Sequence, residues 1–314
     1  MESLKLSFSA VMPIFILMAI GYFIKKIKLA DKKSFDAMNK LIFKIFLPTL
    51  LFYNIYSTKS FEVFNPELIV FTIVAVLCIF ILGYFAVLFL TKDNRKRGVI
   101  LQAFFRANFA ILGIPLINYI CEGKTSGLSS MMVAVVIPVF NVLGVISLER
   151  FRKGNEKIDY LKLVKGIITN PLIIGCILGT IFLVFGVKLP SLIEKSVEDV
   201  SSIATPLSII VLGSVFEFSD LKGYFKENLI AVLGRLVVAP LLVIPFAVLL
   251  GFTGEALACI LIIFGAPTAV SSFAMAQQMG GDEALAVQVV AISSVACLFT
   301  LFLWIFSLSY LGLF

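Results

Sequence analysis

The chain is a succession of ten apolar runs, each close to 20 residues long and separated by short polar loops. They fall near 6–26, 38–57, 67–90, 98–120, 127–148, 166–186, 199–217, 228–250, 255–279 and 284–312. A run of about 20 residues is what an α-helix needs to cross a bilayer, so each is expected as a transmembrane helix. With 60% hydrophobic and 14% charged residues and a mean hydropathy of +1.07, the expected fold is an all-α membrane protein. The first run, Leu6 to Ile24, is longer than a signal-peptide core and has no A-x-A-like cleavage site. It is expected to stay attached as the first span. Asp31 to Lys44 mixes Lys33, Lys40 and Lys44 with apolar positions at helical spacing, so the second span is expected to begin as an interfacial turn.

Charge gives an orientation. Eighteen of the 26 Lys and Arg lie in alternate loops, Lys25 to Lys40, Lys92 to Arg97, Arg150 to Lys165, and Lys222 with Lys226. Only Lys5, Lys59, Lys124, Lys188 and Lys195 lie on the other side. The positive-inside rule puts the first set in the cytoplasm and both termini outside a cell membrane crossed many times. It also accounts for the net charge of +7 without a nucleic-acid partner. The chain has no His, and its five cysteines are scattered without a C-x-x-C pair. Zinc, haem, redox and His-base chemistry lose their usual groups, so neither an enzyme nor a bound cofactor or metal is expected.

Two stretches interrupt the apolar pattern. Arg106 to Pro115 reads Arg-Ala-Asn-Phe-Ala-Ile-Leu-Gly-Ile-Pro inside the fourth run. A charge at mid-membrane costs at least about 3 kcal/mol. A Gly-Ile-Pro break also frees backbone groups that lipid cannot satisfy, so the stretch must face protein or a water-filled cavity. The second stretch, in the ninth run, is Gly265-Ala266-Pro267-Thr268-Ala269-Val270-Ser271-Ser272.

The two halves echo each other. Pro13 and Pro171, like Pro48 and Pro206, lie 158 residues apart, and Ile27-Lys28-Leu29 is echoed by Val187-Lys188-Leu189. Five spans per half insert the second copy upside down, which gives inverted repeats over 1–157 and 158–314 with spans 4 and 9 in corresponding places. Pro115 and Pro267 can each open a second half-helix, where no backbone N–H is missed, so breaks are expected after Gly113 and after Gly265. The half-helix N-termini would then turn partial positive charge toward one central spot, which suits an anion.

Asn108-Phe109-Ala110-Ile111-Leu112-Gly113-Ile114-Pro115-Leu116 resembles the Asn-x-x-x-x-Gly-Ile-Pro-Leu signature in span 4 of the auxin efflux carrier family. Pro267 to Phe273, with Ala276-Gln277-Gln278 and Gly280-Gly281-Asp282, resembles that family's span 9 signature. The ten-span layout matches end to end. The family includes plant PIN-formed carriers and bacterial permeases assigned to malate, malonate or related carboxylates. The resemblance implies broken helices 4 and 9 that cross as in bile-acid symporters and sodium/proton antiporters. It further implies a scaffold from spans 1, 2, 6 and 7, a transport domain from spans 3–5 and 8–10, elevator-like movement and a homodimer. Asn108, Pro115 and Pro267 become crossover residues, with Asn108 bonding a substrate carboxylate. The short loop from Arg150 to Lys165 departs from the plant members, so auxin itself and control through a long phosphorylated loop are not expected.

The candidate substrate-binding residues are Arg106, Asn108, Gly113, Pro115, Asn141, Pro267, Thr268, Ser271, Ser272 and Gln288. Asn108 either binds a ligand or ties helices together, and its place beside a paired break favours the ligand. Arg106 either balances a substrate's charge or holds a structural partner; two residues from Asn108 on a helix, it would face another way. Thr268, Ser271 and Ser272 can bond a carboxylate or cap freed backbone. Asn141 and Gln288 either face the cavity or act as interhelical glue. Asn54, near the Pro48 kink, either lines the scaffold side of the path or, as expected, is a helix-end polar residue, and Arg235 is expected as a snorkelling or paired one. No carboxylate sits at mid-depth, which argues against a cation as the main cargo. The expectation is a secondary transporter of a small organic anion, a permease working in the lipid bilayer, with proton or sodium coupling left open. The alternatives are a sodium-coupled symporter of bile-acid type and a non-transporting membrane sensor on the same fold.

Overall fold

The computed structural model describes residues 2–58, 65–121, 127–152 and 160–314, with side chains set aside for 2–11, 110–115 and 160–163. After α1 (Glu2–Lys26), the Asp31 carboxylate accepts from the Ser34 N–H and starts α2 (Lys32–Leu41). A wide π-turn (Ile42–Phe46) leads into α3 (Leu47–Tyr56). Asn65 caps α4 (Pro66–Leu90) and Asp93 caps α5 (Asn94–Phe105), each replacing a backbone partner that the first turn lacks. Next come α6 (Phe109–Ile120), α7 (Leu128–Arg152), α8 (Tyr160–Ile168) and α9 (Pro171–Val184), the last capped by Asn170. They are followed by α10 (Ser191–Val215), the short α11 (Asp220–Gly223) and α12 (Phe225–Leu233). A second π-turn (Gly234–Val238) joins α12 to α13 (Ala239–Leu249). The chain ends with α14 (Gly254–Gly265), α15 (Ser271–Met279) and α16 (Glu283–Tyr310), capped by Asp282. Each π-turn precedes a proline by two residues, Pro48 and Pro240, whose missing N–H a regular helix would have used.

Among the described residues there is no strand, as expected for an all-α chain. Among the described residues five helical stretches, α4, α7, α10, α12 through α13, and α16, are long and apolar enough to cross a membrane. The shorter α9 and α14 are also apolar. Outward faces are hydrocarbon-like, with Val70, Ile81, Phe85 and Phe89 exposed on α4 and Ile174, Ile177, Leu178 and Ile181 on α9.

Inside, backbones approach closely where side chains vanish. Gly21 of α1 lies against the Ile210 carbonyl of α10, and Gly213 of α10 against the Met18 carbonyl of α1; a Cβ at either place would overlap main chain. Gly175 brings α9 against Pro48 of α3 in the same manner. By contrast α5 from Gly98 onward and α14 from Leu257 onward are buried on every side. Protein, not lipid, surrounds them, which lets the chain leave the helix at their ends.

Both interruptions exist, but not where the sequence placed the first. The helix stops after Phe105 and resumes at Phe109, so the unwound residues are Arg106, Ala107 and Asn108. Pro115 lies inside α6 and does not open a half-helix. In the second interruption Ala266 to Val270 are outside helices, and α15 begins at Ser271, four residues beyond Pro267. A proline pushes the residue before it to extended backbone, and Ala266 has φ −71° and ψ 157°.

Candidate functional site

The two unwound segments pair with each other. Asn108 donates its backbone N–H to the Pro267 carbonyl at 2.8 Å, and Ala269 donates to the Arg106 carbonyl at 3.1 Å. The result is a single antiparallel bridge between Ala107 and Thr268. Thr268 is tied further, its N–H donating to Ser293 Oγ of α16 at 3.2 Å. These bonds satisfy groups that would otherwise be orphaned away from water.

Four helix ends therefore meet here. The N-termini of α6 and α15 bring partial positive charge, while the C-termini of α5 and α14 bring carbonyls and partial negative charge. The negative ends are answered by one side chain. Arg235, fully buried, donates Nε to the Ala266 carbonyl at 2.8 Å, Nη2 to Ile263 at 2.6 Å and Nη1 to Phe104 at 3.3 Å. Of the two expectations for Arg235, pairing holds and snorkelling does not: it lies in the π-turn with no exposed surface, bonded to main-chain carbonyls.

Arg106 occupies a different surrounding. It is 3% exposed, and its Nη2 donates to Asn141 Oδ1 at 2.8 Å and to Ser271 Oγ at 3.0 Å. Its Nη1 donates to Gln102 Oε1 at 3.1 Å and touches the Met275 sulfur. All these partners are neutral, and among the described residues no carboxylate lies within ion-pair distance of either buried arginine. Arg106 and Asn108 line one cavity, because in extended backbone residues two apart share a side. The helix-based expectation that they face apart is thereby corrected.

That cavity measures about 60 Å³ and is lined by Arg106, Asn108, Asn141, Ala269, Val270 and Ser271, with Leu47, Leu50 and Asn54 of α3, Phe140 of α7, and Thr205 and Ser208 of α10. At roughly 10–15 Å³ per water-sized centre, it admits a few waters or the polar end of a small ligand. Asn108 is buried, and its Nδ2 has no hydrogen-bond partner among the described residues.

The other candidates divide. Thr268 and Ser272 are buried with hydroxyls lacking a described partner, yet neither lines the cavity, and Pro267 contributes its carbonyl to the bridge. Gln288 is not at the site: it accepts from Asn228 Nδ2 at 2.5 Å and joins α16 to α12, the glue alternative. Gly113 and Pro115 fall on the turn of α6 whose side chains lie outside the described residues. Sequence reading missed Thr205 and Ser208, although two hydroxyls flanking Pro206 in an apolar run were a usable signal.

Comparison with known proteins gives a family model described as membrane transport protein, matching residues 6–305. An uncharacterized transporter of Methanocaldococcus jannaschii is 26% identical over 94% of this chain and 96% of its own length. Another, from Methanothermobacter thermautotrophicus, is 21% identical over 95% and 97%.

Proposed function

The chain belongs to the membrane transport protein family, that of the auxin efflux carriers, and from that premise we propose a secondary transporter that carries a small organic anion, a carboxylate, across the cell membrane. The single observation that carries the choice of an anion is Arg106. A buried guanidinium held only by neutral groups keeps its full charge uncompensated, beside an Asn108 amide with donors to spare. A carboxylate in the 60 Å³ cavity would take the Asn108 donors and the Ser271 hydroxyl while offsetting Arg106. The positive ends of α6 and α15 add to this, and Arg235 removes the competing negative ends.

In this reading ten spans form two inverted five-helix repeats, 1–157 and 158–314, with both termini outside. A scaffold of α1–α3 and α8–α10 carries a transport unit of α4–α7 and α12–α16 in an elevator-like movement, and two copies join through the scaffold. The close contacts of α1 with α10 and of α3 with α9 support the first group. The bridge between Ala107 and Thr268 ties the two halves of the transport unit into one body. No reaction is catalysed; the cargo is bound, moved and released unchanged.

The test is uptake of labelled mono- and dicarboxylates into proteoliposomes. Asn108→Ala should weaken apparent affinity about 10- to 100-fold, the equivalent of the about 1.5–3 kcal/mol of a hydrogen bond to a charged group. Wild-type-like uptake by a normally folded variant would remove Asn108 from the site, and uptake of no carboxylate by the wild type would remove the substrate class.

A further inference from the structure

The three carbonyls that meet Arg235 come from two different helices. Phe104 lies in the last turn of α5 and Ile263 in the last turn of α14, while Ala266 begins the unwound segment beyond it. Their oxygens converge on one guanidinium that bonds no carboxylate among the described residues and has no exposed surface. Unwound carbonyls and half-helix C-termini at a helix crossing are the ligand set with which membrane carriers hold a sodium ion or proton. Hard alkali cations favour such oxygen ligands, and so does a guanidinium, whose planar fork can bond three carbonyls at once.

We propose that the Arg235 guanidinium is a resident cation seated in a monovalent-cation site at the helix crossing, doing permanently what a dissociable ion would do transiently. The backbone is shaped to deliver it. Arg235 lies in the Gly234–Val238 π-turn, and Gly234 sits so close to the Phe104 ring that a Cβ there would overlap it, so the turn approaches the end of α5 without a side chain between. Because the side chain is covalently attached and stays charged, the negative ends of α5 and α14 remain compensated through every step. For the transport function proposed above, on which only this consequence rests, the crossing then needs no sodium to form its anion site. Removing the side chain uncovers a latent cation site.

The test is thermal unfolding of the purified full chain in detergent, without any organic anion, in choline chloride at fixed ionic strength. Arg235→Ala should melt below the wild type, and millimolar methylguanidinium, or sodium, potassium or lithium, should raise its Tm saturably by several degrees. The wild type should respond to none of them. An Arg235→Ala variant indifferent to all four cations would overturn the proposal. So would an Arg235→Met variant that melts like the wild type, because a neutral chain of similar length would then suffice. Should Arg235→Ala fail to fold, Arg235→Lys and Arg235→Met decide: a folded lysine variant beside an unfolded methionine variant supports a required cation, and equal behaviour of the two overturns it. Failure of carboxylate uptake would sink the transport reading while leaving these melts untouched.

Discussion

The backbone N–H of Asn108 meets the carbonyl oxygen of Pro267 at 2.8 Å, joining the two places where the buried helices come undone. That bond and its companion from Ala269 to Arg106 make one body of the two interrupted helices, so a displacement of one segment carries the other. Arg106 and Asn108 thereby keep a fixed spacing from Ser271, as a site that recognises one small anion requires.

Pro267 holds this arrangement by keeping α14 from continuing. In Pro267→Ala the chain regains an N–H and sheds a penalty of about 3 kcal/mol against helix, so α14 can extend and withdraw the carbonyl from Asn108. The expected outcome is uptake reduced at least about tenfold, with the cooperative melt retained. Unchanged uptake in proteoliposomes would show that the bridge survives without the proline.

Arg106 should act on affinity more than on folding. Arg106→Gln keeps a side chain that can bond Asn141 and Ser271 but removes the charge, so the half-saturation concentration for the anion should rise about 10-fold or more. Gln288→Ala is the contrasting variant. It leaves the Asn228 amide unpaired between α12 and α16, so the Tm should fall while half-saturation stays near wild type. Concentration-dependent uptake and a melt on the same preparations separate the two.

The helical plan was legible because hydrophobic run length is a local property that lipid enforces. The second interruption was legible for the same reason, since Pro267 acts on its own neighbour Ala266. The first was misplaced by several residues, and the cause is physical. Arg106, Ala107 and Asn108 contain no proline or glycine, and their extended backbone is imposed by pairing with Pro267 and Ala269 about 160 residues away. Gly113-Ile114-Pro115 offered a local breaker that α6 absorbs. Arg235 was expected to snorkel or pair, and it pairs; which groups it meets was not legible, because main-chain carbonyls carry no mark in a sequence.

At the end of α1, Lys25 Nζ donates to Glu217 Oε1 at 2.9 Å, linking α1 to the turn after α10. The Lys25 hydrogen bond holds the Glu217 carboxyl below its ordinary value of 4.5. With the folded value depressed, its contribution is present above the unfolded carboxylate's value and is lost as pH falls through the folded one. Both side chains are about half exposed, so the effect is small and screened by salt. Glu217→Gln should melt slightly below wild type at neutral pH in low salt, with the gap closing under about pH 4. A gap that persists in acid would assign the difference to packing.

A carrier in which a transport unit slides along a scaffold must break contacts between them, and Gln277 makes such contacts. From α15 its carbonyl accepts from Asn39 of α2, and its Nε2 donates to Asp36 of α2 at 3.1 Å and to Glu283 of α16 at 2.8 Å. Only the bonds to α2 cross from one proposed unit to the other. They border a wider polar mouth of about 450 Å³ that includes Lys32, Asp36, Asp282 and Glu283. The bond to Asn39 is neutral and contributes about 1 kcal/mol, and the bond to the exposed Asp36 carboxylate is of the same order once solvent screens it, enough to bias two positions of the carrier without trapping it. Joining Asn39→Cys to Gln277→Cys with a short, reducible thiol crosslinker should therefore stop uptake, and reduction should restore it, while either single variant treated alike keeps transporting. If the crosslinked double variant still carries anion at the wild-type rate, α2 and α15 do not separate during transport and the sliding movement fails.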